Sequence, residues 1–134
     1  MAELTQTSAN VLGTPNSNII TAGETINAGM PFYKDAVTGL AMKSRSNALA
    51  TAKAFGIALN NAAANQPLSY QRTGRIKLGA TLTDGETYGV SADTAGKIFP
   101  LSDYTTGDYP VILGIAEDDE YLQLTIIEAG VAKA

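Results

Sequence analysis

Glu117-Asp118-Asp119-Glu120 is the densest grouping of chemistry-bearing side chains in the chain. Carboxylates at such density suggest a hard-cation site, but the spacing argues against one. Calcium loops alternate their ligands and place a glycine at the sharp turn, a geometry that four consecutive acids do not offer. A solvated turn between two strands is the expected role. The other acids, Asp84-Gly85-Glu86, Asp93 and Asp103, are scattered beside turn residues. Paired carboxylates for glycoside chemistry must converge in one cleft, and nothing in this spacing brings them together. Ser69 and Ser91 have no base to activate them. The chain has no histidine and no cysteine, so histidine-based triads are excluded. A zinc site would have to be all carboxylate, which that metal rarely accepts. Gly74-Arg75-Ile76-Lys77-Leu78-Gly79 lacks the Gly-Lys-Ser/Thr ending of a phosphate loop. Six tyrosines without tryptophan suit half-buried packing in strands better than a sugar-binding platform. The chain therefore reads as a non-enzyme with no catalytic, cofactor or metal site.

What must position these residues is one small domain. A chain of 134 residues is long enough for its own core and buries roughly two-thirds of its unfolded surface, without disulfide or metal staples. Only 16% of residues are charged, for a net charge of -4, where about 25% is usual. A surface so poor in charge is easily desolvated against a protein partner. The charges are also unevenly placed. Asp103, Asp108, Glu117, Asp118, Asp119, Glu120 and Glu128 fall between Ile98 and Ala132 with no base among them, whereas Lys43, Arg45, Lys53, Arg72, Arg75 and Lys77 occupy the middle. A head-to-tail contact between like copies could use that asymmetry. No basic stripe interleaved with aromatics appears, so nucleic acid is not an expected partner. Met1 to Gln6 has neither the basic nor the apolar region of a signal peptide, and no apolar run approaches the ~20 residues that span a bilayer. Synthesis in the cytoplasm and no membrane partner are the expectations.

Turn residues punctuate the chain from Ile19 onward every ten residues or so, the spacing of an all-β protein, a small β-barrel or β-sandwich. Thr25-Ile26 reads as a short strand. Pro31 to Lys34 and Leu40 to Lys43 read as a hairpin across Asp35 to Gly39, and Leu68 to Gln71 and Arg75 to Leu78 as a second across Thr73-Gly74. Thr87 to Val90 and Lys97 to Phe99 flank another turn, Asp93 to Gly96. Val111 to Ala116 is a continuous apolar run, which predicts a central strand covered on both faces with Val111, Leu113 and Ile115 in the core. Tyr121 to Ile127 alternates, with Leu122, Leu124 and Ile126 on one face. Asn47 to Ala54, with Ser46 as N-cap, is the one stretch whose alanines favour a helix, an Ala-rich surface loop being the alternative. An internal echo runs through the chain. Gly29, Gly39, Phe55-Gly56-Ile57-Ala58 and Gly74 are answered by Gly85, Gly96, Leu113-Gly114-Ile115-Ala116 and Gly130, about 57 residues later.

Residues 1–18 read as an extended, flexible N-terminal arm ahead of a single β-rich domain at 19–134. The arm is polar and broken by Gly13 and Pro15, with Val11-Leu12 as its only internal apolar pair, too little to offset its ordering entropy alone. Val11 and Leu12 are the candidate partner-binding residues.

Three phrases carry a resemblance: Ala54-Phe-Gly-Ile-Ala-Leu-Asn-Asn-Ala-Ala-Ala-Asn-Gln-Pro-Leu-Ser69; Leu82-Thr-Asp-Gly-Glu-Thr-Tyr-Gly-Val-Ser91 with Gly96-Lys-Ile-Phe-Pro100; and Asp103 with Gly107-Asp-Tyr-Pro-Val-Ile-Leu-Gly-Ile-Ala116. Together they resemble the capsid decoration, or head cement, proteins of tailed bacteriophages, over roughly residues 20 to 130. The resemblance implies a structural protein on the outer surface of the virion. It would bind the expanded capsid, often as trimers, and tie major capsid protein subunits together. Its partners would be the major capsid protein and sister copies in a homotrimer. The family has no catalytic motif to carry over. Other virion parts (a head-fibre base, neck or tail protein) and a carbohydrate-binding or adhesion module are the competing expectations.

Overall fold

The structure is a computed structural model and describes residues 3–11 and 18–134. Regular structure among these residues consists of β1 (Asn18–Thr21), β2 (Pro31–Lys34), β3 (Ala41–Lys43), β4 (Gly56–Ala58), β5 (Pro67–Gln71), β6 (Gly74–Lys77), β7 (Thr87–Val90), β8 (Ile98–Pro100), β9 (Val111–Ala116) and β10 (Tyr121–Glu128), with 3-10 turns at Ser8–Asn10 and Leu101–Asp103. The strands form two five-stranded sheets, ordered β1-β5-β4-β2-β3 and β6-β10-β9-β7-β8. All strand pairs are antiparallel. The fold is an all-β sandwich, and neither sheet closes into a barrel.

Each sheet is built by one half of the chain, and the halves repeat one topology: replacing β1 to β5 by β6 to β10 converts the first strand order into the second. The register repeats too. Phe32 on β2 faces both Gly56 and Lys43, as Tyr88 on β7 faces both Gly114 and Pro100. Ala58 opposite Tyr70 becomes Ala116 opposite Leu122. Left-handed backbone at Gly29, Gly39 and Gly74 is matched at Gly85, Gly96 and Gly130. The echo in the sequence is thus a repeated structural unit.

Two clusters form most of the core. The larger gathers Ile76, Leu78, Tyr88, Val90, Ile98, Val111, Leu113 and Leu122 from the second half, joined by Ala52, Ala54 and Ile57 from the first. The smaller gathers Phe32, Ala41, Ala58, Leu68 and Tyr70. Ile57 and Ala58, adjacent on β4, therefore serve different clusters on opposite faces, as the period-2 pleat requires. The halves also finish their sheets differently. In the first, Ala22 makes a single parallel bridge to Ala41 and the Gly23 amide donates to the Ala41 carbonyl at 2.8 Å. In the second, the N-terminal segment occupies the corresponding place: the Leu4 amide donates to Ile98 at 2.7 Å and the Thr7 amide to Gly79 at 3.0 Å.

Several expectations need correction. Asn47 to Ala54 is not a helix. It forms turns, with an i to i+4 bond from the Ala52 amide to Ala48. The Thr51 hydroxyl and amide divert to other carbonyls, the hydroxyl donating to Arg45 at 2.7 Å, while Ala52 and Ala54 turn into the core. Thr25-Ile26 is no strand; Ile26 makes only an isolated bridge to Ala62. β5 and β6 do not pair, because Arg72-Thr73 carries the chain from one sheet to the other. β9 lies between β10 and β7, but a register shift between Tyr88 and Gly89 leaves Leu113 between the pairs Gly89–Ile112 and Tyr88–Gly114. The alternation reverses there, so Val111, Leu113 and Ala116 face the core while Ile115 is 52% exposed. On β10, by contrast, the expected alternation holds: Leu122 and Leu124 are buried and Ile126 packs partly against the same core, with Gln123 and Thr125 exposed, while Ile127, past a register shift against β9, faces outward.

Candidate interaction surface

The N-terminal segment lies against the domain it precedes. Leu4 packs on the larger core cluster. The Gln6 amide group donates to the Gly29 carbonyl at 3.0 Å and to Gly96 at 3.3 Å, joining the two halves. The Ser91 hydroxyl donates to the Glu3 carboxylate and also accepts from the Asp93 amide at 3.0 Å, so Ser91 caps the turn that follows β7. Of the candidate pair, Val11 is half-buried and lies where a side chain on Gly29 would meet it, at 3.1 Å. Leu12 lies outside the described residues.

The acidic run is a capped turn at the end of the β9-β10 hairpin. Asp118 Oδ1 accepts from the amides of Glu120 and Tyr121, both at 2.8 Å. Those two bonds, reinforced by Arg75, hold its carboxyl below the usual aspartate range. Arg75 Nε pairs with Glu117 at 2.6 Å and an Arg75 Nη with Asp118 at 3.7 Å, while the guanidinium lies 4.0 Å from the Tyr121 ring centre. Asp119 and Glu120 carry no ion pair among the described residues. The turn before β7 adds Asp84 and Glu86 to the same end, tied there by the bonds of Gly85 and Glu86 to Ala116. No grouping of three or more metal-ligating side chains occurs among the described residues.

The opposite end of the second sheet is basic. β10 runs from the acidic turn at Tyr121 to Glu128, eight residues that span about 26 Å at strand rise. Where it ends, an open cleft of about 700 Å³ is lined by Asn18, Ala54, Arg72, Thr73, Ile126 and Glu128. A shallower one beside it, of about 120 Å³, adds Tyr33, Lys34, Lys53 and Phe55. Arg72 is held in place: its Nε donates to the Phe55 carbonyl at 3.0 Å, and its guanidinium stacks 4.2 Å from the Phe55 ring centre. Lys34 approaches the same ring at 5.8 Å. Glu128 spends one carboxylate oxygen on the Ala54 amide at 3.0 Å. Arg72, Lys34 and Lys53 have no acidic partner among the described residues.

Sheet edges are the other exposed resource, since an uncovered edge invites a further strand. β3 is covered by Ala22 to Glu24, whose carboxylate accepts the Lys43 amide at 3.0 Å. β8 is covered by Leu4. The Gln71 side chain reaches the Arg75 carbonyl of β6 at 2.9 Å. β1 pairs only with β5 among the described residues, and its Ile19 is 69% exposed.

Other sequence candidates have structural roles. Tyr104 is buried, donates to Val90 at 2.6 Å and accepts from the Val111 amide at 3.1 Å. Tyr88 accepts from the Thr83 amide at 2.9 Å, and Tyr70 meets Phe32 edge-on at 5.3 Å. Sequence reasoning missed the Arg72-Phe55 stack, because seventeen positions and a change of sheet separate the partners. No family model and no curated protein matches the chain.

Proposed function

We propose that this chain is a non-enzymatic virion structural protein that binds the outside of a phage head and stabilises the capsid by bridging major capsid protein subunits. The observation that carries the reading is the β1 edge, which among the described residues pairs with no strand but β5. On a weakly charged surface, the other three edges are blunted by a loop, the N-terminal segment or a side chain, and this one presents an exposed isoleucine. Such an edge takes an extended segment of a partner as an added strand. The phrases resembling head decoration proteins contain β4, β7, β8 and β9, three inner strands and one edge strand of the two sheets. In this reading Val11 and Leu12 anchor the chain on a capsid subunit or a sister copy, and sister copies assemble as a trimer. Modest affinity per contact suffices, because neighbouring sites on a shell multiply as effective concentration.

The test is co-sedimentation of purified protein with heads that lack it. Saturable binding that raises the temperature at which the heads break open supports the reading. Heads that neither bind nor gain stability contradict it, and binding restricted to a tail or neck fraction assigns the chain to another virion part.

A further inference from the structure

We infer that copies of this chain meet head to tail, the acidic end of one seating in the basic cleft of the next. The inference names the surfaces by which the sister copies proposed above would meet, and it is tested on free protein, apart from attachment to a head.

Asp84, Glu86, Asp119 and Glu120 sit at one end of the second sheet with no ion pair among the described residues. Of the two bases there, Arg75 is engaged by Glu117 and Asp118 and Lys77 lines a small hollow with Asp119 and Glu120, so acids still outnumber bases at this end. Arg72, Lys34 and Lys53 sit at the other end, equally without acidic partners. The two ends lie at opposite termini of β10, so one copy cannot satisfy itself across its own length. The acidic end repels its like, which disfavours a two-fold contact through it and favours the heterologous arrangement, in which it meets the end where Arg72, Lys34 and Lys53 outnumber Glu128 and Asp35. The cleft is also prepared for a carboxylate. Arg72 has its Nε bound to the Phe55 carbonyl and its face on the Phe55 ring, so its Nη groups remain for a partner at little further cost in side-chain entropy. The acidic turn is fixed by the two Asp118 bonds and presents Asp119 and Glu120 on a preformed loop. An interface of this kind ties neighbouring copies without consuming the β1 edge.

Sedimentation velocity over a concentration series tests this, at low and at high salt. The wild-type protein should self-associate at low salt, with the association weakened about tenfold or more when salt screens the contact. The double variant Asp119→Lys/Glu120→Lys should be monomeric, as should Arg72→Glu/Lys53→Glu. An equimolar mixture of the two should associate again, because each reversed surface then meets its complement. Far-ultraviolet circular dichroism confirms that each variant is folded, and Lys53→Glu alone, which leaves the Phe55 stack intact, should weaken association in the same direction. A wild-type protein that stays monomeric at every salt concentration overturns the inference. So does association that either reversal leaves unchanged, or a mixture that fails to restore it.

Discussion

Leu113 and Ile115 lie two residues apart on β9, and a paired truncation of them tests how the second sheet is built. Leu113 is fully buried in the larger core cluster, whereas Ile115 is half exposed, opposite Gln123 and Thr87 on the outer face. Leu113→Ala removes buried methyl groups from a site enclosed by Val111, Ile76 and Leu122 and their neighbours. The loss combines transfer and cavity terms, about 2–5 kcal/mol. Ile115→Ala forfeits only part of the roughly 1.5–3 kcal/mol that full burial of such a side chain contributes, and water fills the space, so about 1 kcal/mol is expected. Urea titration followed by circular dichroism separates the two: the midpoint should fall several times further for Leu113→Ala, at unchanged slope. Equal losses, or a larger loss for Ile115→Ala, would mean that the faces of β9 are assigned wrongly and that the register shift beside Gly89 is not where the structure puts it.

Tyr104→Phe leaves the Val90 carbonyl without its donor and should cost about 1–3 kcal/mol at neutral pH. Burial raises the Tyr104 hydroxyl above the ordinary tyrosine value, so its contribution is complete below about pH 10 and is lost as pH rises through the higher folded value. The gap between wild type and variant in urea midpoint should therefore narrow in alkali, and a gap that widens there refutes the burial argument. A side-chain carbon on Gly114 would collide with the Gln123 carbonyl, so Gly114→Ala should cost about 1–3 kcal/mol or more by overpacking. A neutral effect in thermal unfolding would show that β9 and β10 are not this close. Deleting residues 1–7 removes Leu4 from the core edge and the Gln6 link between the halves, offset by the entropy released. A loss of about 1–2 kcal/mol with unfolding still cooperative is expected, and a truncated chain that fails to fold would make the segment part of the core.

Local chemistry makes part of this fold legible in the amino-acid sequence. The β2-β3 hairpin declares itself through Asp35, which accepts the Val37 amide at 2.8 Å, and through the left-handed Gly39. The β9-β10 turn does so through its unbroken acids, which are better solvated than buried. Alternation places Ile76 inside and Arg75 outside. The repeat is legible because turn glycines in left-handed backbone are hard to replace. What local patterns do not give is pairing over distance. Two neighbouring strands flanking Thr73-Gly74 look like a hairpin in sequence, yet β6 finds β10 and β5 finds β1 and β4, because each completes the sheet of its own repeat. Alanines from 48 to 54 score well for helix, but here their small size fits Ala52 and Ala54 against the larger cluster. Ile115 reads as core because period-2 spacing puts it on the face of Val111 and Leu113, and an apolar run does not announce the register shift at Leu113 that reverses the alternation. The docking of Leu4 and Gln6 depends on a gap left by the second repeat, which no pattern in residues 3–11 announces.

The most direct test of the central claim is electron cryomicroscopy of heads that lack the protein, imaged before and after incubation with it. The account predicts added density on the outer surface, repeated across the whole shell and bridging adjacent major capsid protein subunits. Unchanged maps, or density confined to the tail vertex, would contradict it.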